Sequence, residues 1–155
     1  MTRGVSFAVP NHFGRLLGEM LEALDVSVYD WRIGSGESYL VEAGELGLPL
    51  FAEQPDSADG ELFKSIIENN EYYLIFADLK AFSKGQNITD IGTYEEFLQS
   101  DCQLVLLVVD SVYVTIYCKN KEQLDKLYDH AMEKEFHPVQ YITDGNDHRT
   151  KLGVW

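Results

Sequence analysis

Positive charge is scarce in this chain. Twelve lysines and arginines stand against 26 aspartates and glutamates, for a formal net charge of −14. Such a surface repels a phosphate backbone, which argues against direct nucleic-acid binding. Cysteine is nearly absent too. The two present, Cys102 and Cys118, do not make a disulfide framework. Neither sits in a C-x-x-C or Cys/His signature, so no structural metal is expected. Long apolar runs are also lacking: the longest aliphatic stretch, Leu104 to Val109, falls far short of the roughly 20 residues of a membrane span. The opening MTRGVSFAVPN has one basic residue and reaches a polar turn too early for a secretory signal. The expectation is a cytoplasmic protein with no membrane association.

What is present fits a soluble globular fold. A hydrophobic content of 45% and a charged content of 25% are ordinary values. At 155 residues, residues 1–155 read as one domain, able to bury roughly 70% of the unfolded chain's surface. The most informative stretch is Asp101 to Lys119, DCQLVLLVVDSVYVTIYCK. Two strongly β-prone runs meet at Asp110-Ser111 with no room for a crossover, which predicts an antiparallel hairpin near the centre of a sheet. A two-residue turn sets Val109 opposite Val112 and Gln103 opposite Cys118, leaving the cysteines on opposite faces as free thiols. A three-residue turn shifts that register and sets them opposite each other.

Around this hairpin the pattern alternates strands and helices. Gly4 to Val9 reads as a strand, stopped by Pro10. Asn11 then caps a helix carrying Phe13, Leu16, Leu17, Met20, Leu21 and Leu24 on one stripe. Val26 to Ile33 reads as a strand, Gly34-Ser35-Gly36-Glu37 as a turn, and Ser38 to Ala43 as its hairpin partner. Residues 44–60 read as loop. A short helix opened by Asp59 or Ser57 carries Leu62, Phe63, Ile66 and Ile67 and ends at Asn69-Asn70. Tyr72 to Phe82 is the next strand. Thr93 with Glu96 makes a capping box, and Asn120 with Gln123 starts a helix with Leu124, Leu127, Tyr128, Ala131 and Met132 on one face. Phe136 to Ile142 is a last strand, and residues 144–155 are expected to be a flexible polar tail ending in an apolar tip. The predicted class is α+β, a mixed and largely antiparallel sheet with helices packed on it. From Glu71 onward the order is the ferredoxin-like β-α-β-β-α-β.

No catalytic set assembles from spacing. His12, His130, His137 and His148 lie in four separate elements. Gly34-Ser35-Gly36 lacks a P-loop lysine and is followed by a strand rather than a helix N-terminus. The loop DGNDHR at residues 144–149 lacks the distal glutamate of an EF-hand. Its Asp147 and His148 form an acid–base pair only if the tail folds back over a cleft. No cofactor is expected.

The feature that points to a partner is YDWRIGSGESYLVEAGE, residues 29–45. Its aromatics Tyr29, Trp31 and Tyr39 are interleaved with Glu37, Glu42 and Glu45. If Ile33 pairs with Ser38, Trp31 faces Leu40 and Tyr29 faces Glu42. Either this hairpin is buried on both sides, or one face offers its aromatics to a partner. Tyrosine and tryptophan flanked by carboxylates suit an Arg- or Lys-rich surface. The charge is polarised as well: residues 33–79 hold ten acids and one base, Lys64.

The strings RGVSFAVPN and TYEEFLQSDCQLVLLVVDSVYVTIYCK resemble a family of short uncharacterised proteins from Bacillus and related Firmicutes, a domain of unknown function. The resemblance implies a bacterial cytoplasmic origin and brings no activity or site residue with it. The reading that results is a non-enzymatic acidic module recognising a basic protein, in the manner of an immunity or antitoxin partner. The alternative is a small-molecule-sensing or regulatory domain, and a small enzyme comes third. A homodimer is the other assembly this reading allows.

Overall fold

The computed structural model describes residues 1–155. Its centre is the expected hairpin, here β7 (Cys102–Val109) and β8 (Tyr113–Cys118). Both β7 and β8 are flanked on each side by further strands. The sheet runs β4-β3-β6-β7-β8-β1-β9, with β1 Thr2–Ala8, β3 Glu37–Glu42, β4 Glu45–Pro49, β6 Tyr72–Ser83 and β9 Gln140–Thr143. Two further strands, β2 (Tyr29–Ile33) and β5 (Ser57–Asp59), extend it beside the second half of β6. Every pairing is antiparallel.

The hairpin register is shifted by one residue from the two-residue-turn expectation. Val109 pairs with Tyr113 and Leu104 with Cys118. The cause lies at the tip, where neighbouring strands claim the backbone. Ser111 N–H donates to Ile75 O, and Val9 N–H donates to Val112 O, each at 2.9 Å. To serve both, Asp110 and Ser111 adopt left-handed φ values of 52° and 66°. The shift does not bring the cysteines together. A bulge where Phe82 pairs with Cys102 turns Cys102 to the opposite face from Leu104. Cys102 joins one hydrophobic cluster and Cys118 the other, both as free, buried thiols.

Helices cover the sheet unequally. One face carries α1 (Leu16–Leu21), α2 (Gly60–Asn69) and α4 (Lys121–Glu133) over a core of 31 buried residues. The other carries the short α3 (Tyr94–Gln99) and the C-terminal segment over a core of nine. The predicted caps form. Asp59 accepts from Leu62 N–H, Thr93 from Glu96 N–H and Asn120 from Gln123 N–H. Asn11 does not cap α1, which starts only at Leu16. Gly14 exchanges backbone hydrogen bonds with Tyr72 (3.1 and 2.9 Å), so residues 11–15 are tied to the sheet first.

Three expectations change. Residues 44–60 are not a plain loop, because they supply β4 and β5. The ferredoxin-like element order holds from β6 to β9, but its spatial arrangement does not: β6 and β7 are antiparallel neighbours, and β1 lies between β8 and β9. Six-residue α3 is therefore no crossover. Nor is the tail free, since Leu152 is 3% exposed and its N–H donates to Gly92 O. Its anchor is Asp147, which accepts from the Tyr117 hydroxyl (3.0 Å) and from Arg3 (3.1 Å), while Arg3 also pairs with Asp144 (2.8 Å). No helix is long and apolar enough to cross a membrane.

Candidate functional site

The segment singled out from its sequence folds in an unexpected way. β2 and β3 are not partners in a hairpin. Both lie antiparallel to the same strand, β6, one after the other: Ile33 pairs with Leu79, and Glu37 with Phe76. Gly34-Ser35-Gly36 is a break within one interrupted line of strand. Glycine is required there by closeness rather than by φ. A Cβ on Gly34 would lie 2.8 Å from Asp78 Cγ, and one on Gly36 would lie 2.6 Å from Phe76 O. A composition of two glycines and a serine suits a tight turn and a close approach equally well, which is why the turn reading fails.

This arrangement divides the six residues. Trp31 is fully buried, stacked on Phe63 at 4.1 Å, and its Nε1–H donates to Val26 O at 2.9 Å. Tyr29 is buried beside it and donates to Gln123 Oε1 of α4 at 3.1 Å. Both belong to the helix-covered core, so neither meets a partner, and the anchoring role expected of them is corrected. Tyr29 and Trp31 share the buried face of β2, and the small neighbours Ala58 and Ala81 on either side of Trp31 leave room for its ring against α2. Tyr39, Glu37, Glu42 and Glu45 are brought together on the other piece, the β3–β4 ribbon.

That ribbon is the most exposed regular structure in the molecule. It turns at Ala43-Gly44, both at positive φ, which gives the two-residue loop of a tight hairpin. All five residues of β4, ELGLP, are exposed. β4 ends the sheet and pairs on one side only, so the backbone groups of its outer side have no strand partner. Leu46 and Leu48 are 49% and 67% exposed. Glu42 and Glu45 pair across the turn, like charges directly opposite. No base offsets them within residues 33–63.

At the root of the ribbon lies a notch of about 170 Å³. Its walls include Gly36, Glu37, Tyr39, Pro49, Phe51 and Phe76. The break in the β2–β3 line opens it. Drug-sized ligand sites run about 300–1,000 Å³, so this notch suits one side chain. Glu37 supplies a charge and Tyr39 a ring face, the two contacts a guanidinium or ammonium uses.

The remaining candidates do not assemble. Asp147 is held by Arg3 and Tyr117, while His148 beside it is exposed and bonded to neither. The tail folds back as an acid–base pair requires, yet Asp147 serves there as a latch. No three His, Cys, Asp or Glu side chains gather as a metal ion needs. The signal that sequence reasoning missed was ELGLP itself: alternation around Gly47, just after an Ala-Gly turn, marks a strand even in a segment rich in turn residues.

The chain matches, over residues 2–153, the family described as "Protein of unknown function (DUF2691)". It is 46% identical over 154 residues to the "Uncharacterized protein YncE" of Bacillus subtilis (strain 168), covering 99% of this chain and 100% of that relative. No solved structure matches it.

Proposed function

We propose that this chain, which belongs to the DUF2691 family, is a cytoplasmic binding module for a basic protein, and that the β3–β4 ribbon is where the partner docks. The observation that carries the reading is the open edge of β4, where exposed leucines and acid residues stand beside an unpartnered row of backbone groups. An extended segment of the partner adds to β4 as one more strand. Its backbone supplies hydrogen bonds, its apolar residues cover Leu46 and Leu48, and its lysines or arginines meet Glu42, Glu45 and Glu53. One basic side chain enters the notch against Glu37 and Tyr39. An occupant of this chemistry follows from charge: ten acids and one base over residues 33–79 select a cation-rich strand and reject an acidic one. An edge of this kind left open also invites self-association, which the like-charged Glu42–Glu45 pair opposes.

The reading is tested with a ten-residue peptide alternating lysine with valine, and with its glutamate counterpart, by titration calorimetry. The lysine peptide should bind and weaken at least tenfold between 0.05 and 0.5 M salt, because the screening length shrinks from about 14 Å to about 4 Å across that range. The triple variant Glu37→Gln/Glu42→Gln/Glu45→Gln should lose most of that affinity with its fold intact, since all three carboxylates are exposed. Equal binding of the two peptides, or none by either, overturns the proposal.

A further inference from the structure

Only part of the sheet's second face is covered. There α3 and the C-terminal segment rest on Phe82, Cys102, Val105, Leu107, Tyr117 and Ile142, which belong to the end of β6 and to β7, β8 and β9. No member of that smaller core comes from β3, β4 or the part of β6 before Phe82. Those strands still present side chains on the same face. Tyr72 and Leu74 belong to the larger core and Leu40 packs against it, so alternation turns Tyr73, Tyr39 and Val41 the other way.

The pairings gather these side chains into one patch. Tyr39 lies opposite Tyr73 and Glu37 opposite Phe76, while Val41 lies opposite Leu46 of β4. Phe13 meets the Tyr73 ring edge-to-face at 5.6 Å, and Trp155 packs on Phe76 at 4.6 Å. Tyr39, Val41, Tyr73 and Phe76 are half-buried, and Phe13 and Leu46 are 42% and 49% exposed. An antiparallel sheet that faces water carries polar residues on that face. Elsewhere this face follows the rule, since Thr115, Ser6 and Gln140 stand in register across β8, β1 and β9. Across β4, β3 and β6 it is apolar and aromatic instead, and a contiguous patch of that kind marks an interaction surface.

Charge indicates what covers it. Glu37 stands on the patch, Glu42 and Glu45 adjoin it at the ribbon turn, and Glu71 accepts from Val41 N–H through its carbonyl at its margin. None of the four carboxylates is in an ion pair. A second copy would bring these carboxylates against their own kind, in a chain of net charge −14. We propose that this face docks an amphipathic helix of the basic partner. The apolar stripe of that helix lies on Tyr39, Val41 and Tyr73, and lysines or arginines beside the stripe meet Glu37 and Glu71. A helix suits the patch in breadth: three neighbouring strands span about 10 Å, close to the diameter of one helix with its side chains. The proposal rests on the reading of a basic partner and gives that partner a second docking element beside its strand. The two are contiguous, because Glu37, Tyr39 and Phe76 also wall the notch.

The test uses the full chain and a peptide of about 18 residues, five helical turns, with leucine at helical spacing on one face and lysine on the rest. Its controls are an isomer of the same composition with the leucines scrambled, and the alternating lysine–valine strand peptide. By titration calorimetry the striped peptide should bind at least tenfold more tightly than the scrambled isomer. Hydroxyl-radical footprinting should show Phe13, Tyr39 and Tyr73 protected in that complex. Phe13→Lys, at an exposed position, should weaken the striped peptide at least tenfold and leave the strand peptide unchanged. Should that variant fail to fold, the footprint on the native chain decides. If the strand peptide binds but striped and scrambled peptides do not differ, this proposal falls and the strand reading stands. If no basic peptide binds, both fall. A footprint on the helix-covered face overturns the proposal, as does a native chain that sediments as a dimer which Phe13→Lys dissociates, since the patch then belongs to a second copy.

Discussion

Trp31 shows how burial reassigns a residue whose type suggests a contact surface. Its ring is enclosed between β2 and α2, and its one polar group is satisfied by Val26 O. Trp31→Ala removes a large buried aromatic and leaves that carbonyl without its donor, so a loss of about 3–5 kcal/mol is expected. Urea unfolding measures it, and a loss under 1 kcal/mol would return Trp31 to the surface. The cysteines give a second residue-scale prediction. Burial raises Cys102 to about 12 and Cys118 to about 11, against about 8.5–9 in the unfolded chain. Both are neutral thiols at pH 7 and should react with a thiol reagent only after unfolding. Since the folded values are the higher ones, the associated stability is intact below about pH 8.5 and declines as pH rises through 11 and 12. The slope is about 1.4 kcal/mol per pH unit for each thiol between its unfolded and folded values. Urea midpoints measured from pH 8 to 11 should fall accordingly, and a flat profile contradicts the burial.

At the scale of elements, what was legible depended on whether a signal was local. The caps at Asp59, Thr93 and Asn120 use side chains and amides within one helical turn, and each formed as read. The β7–β8 hairpin was legible because two β-prone runs adjoin. Its register was not, since Ile75 of β6 and Val9, just past β1, lie far off in sequence and reshape the tip. The β2–β3 break was hidden for the same reason: only the backbone of β6 reveals why Gly34 and Gly36 are glycines. The candidate site inherits both outcomes. Its acidic residues were visible as composition, while the loss of Tyr29 and Trp31 to the core depended on strand pairings no local pattern records. The C-terminal segment was illegible because a mostly polar sequence is held down by the charged contacts of Asp144 and Asp147 with Arg3 and by its apolar tip, Leu152, Val154 and Trp155. Asp147→Ala should free it: Tyr117 OH loses its acceptor inside the smaller core, and Arg3 loses one of its carboxylates. An unsatisfied group of this kind costs about 1–3 kcal/mol. Limited proteolysis should cut within residues 148–155 of the variant and spare the native chain, whereas equal resistance would show that the apolar tip holds the segment without Asp147.

Over the whole molecule, the packed core and the edge proposed for docking occupy different places. The ribbon hangs from β6 through β3, while its outer strand β4 lies beyond the 31-residue core and the central strands β7 and β8 and contributes exposure rather than packing. The ribbon's carboxylates can therefore change without threatening the fold, and on the proposed reading the acid surplus concentrated over residues 33–79 would steer a basic partner toward it. The most direct test of this account is amide hydrogen exchange of the full chain with and without the alternating lysine–valine peptide, at low salt. The account predicts new protection confined to β4 and the adjoining β3, residues 37–49, with the core strands unchanged. Protection appearing on the helical face, or no change in β4 while the peptide is bound, would contradict it.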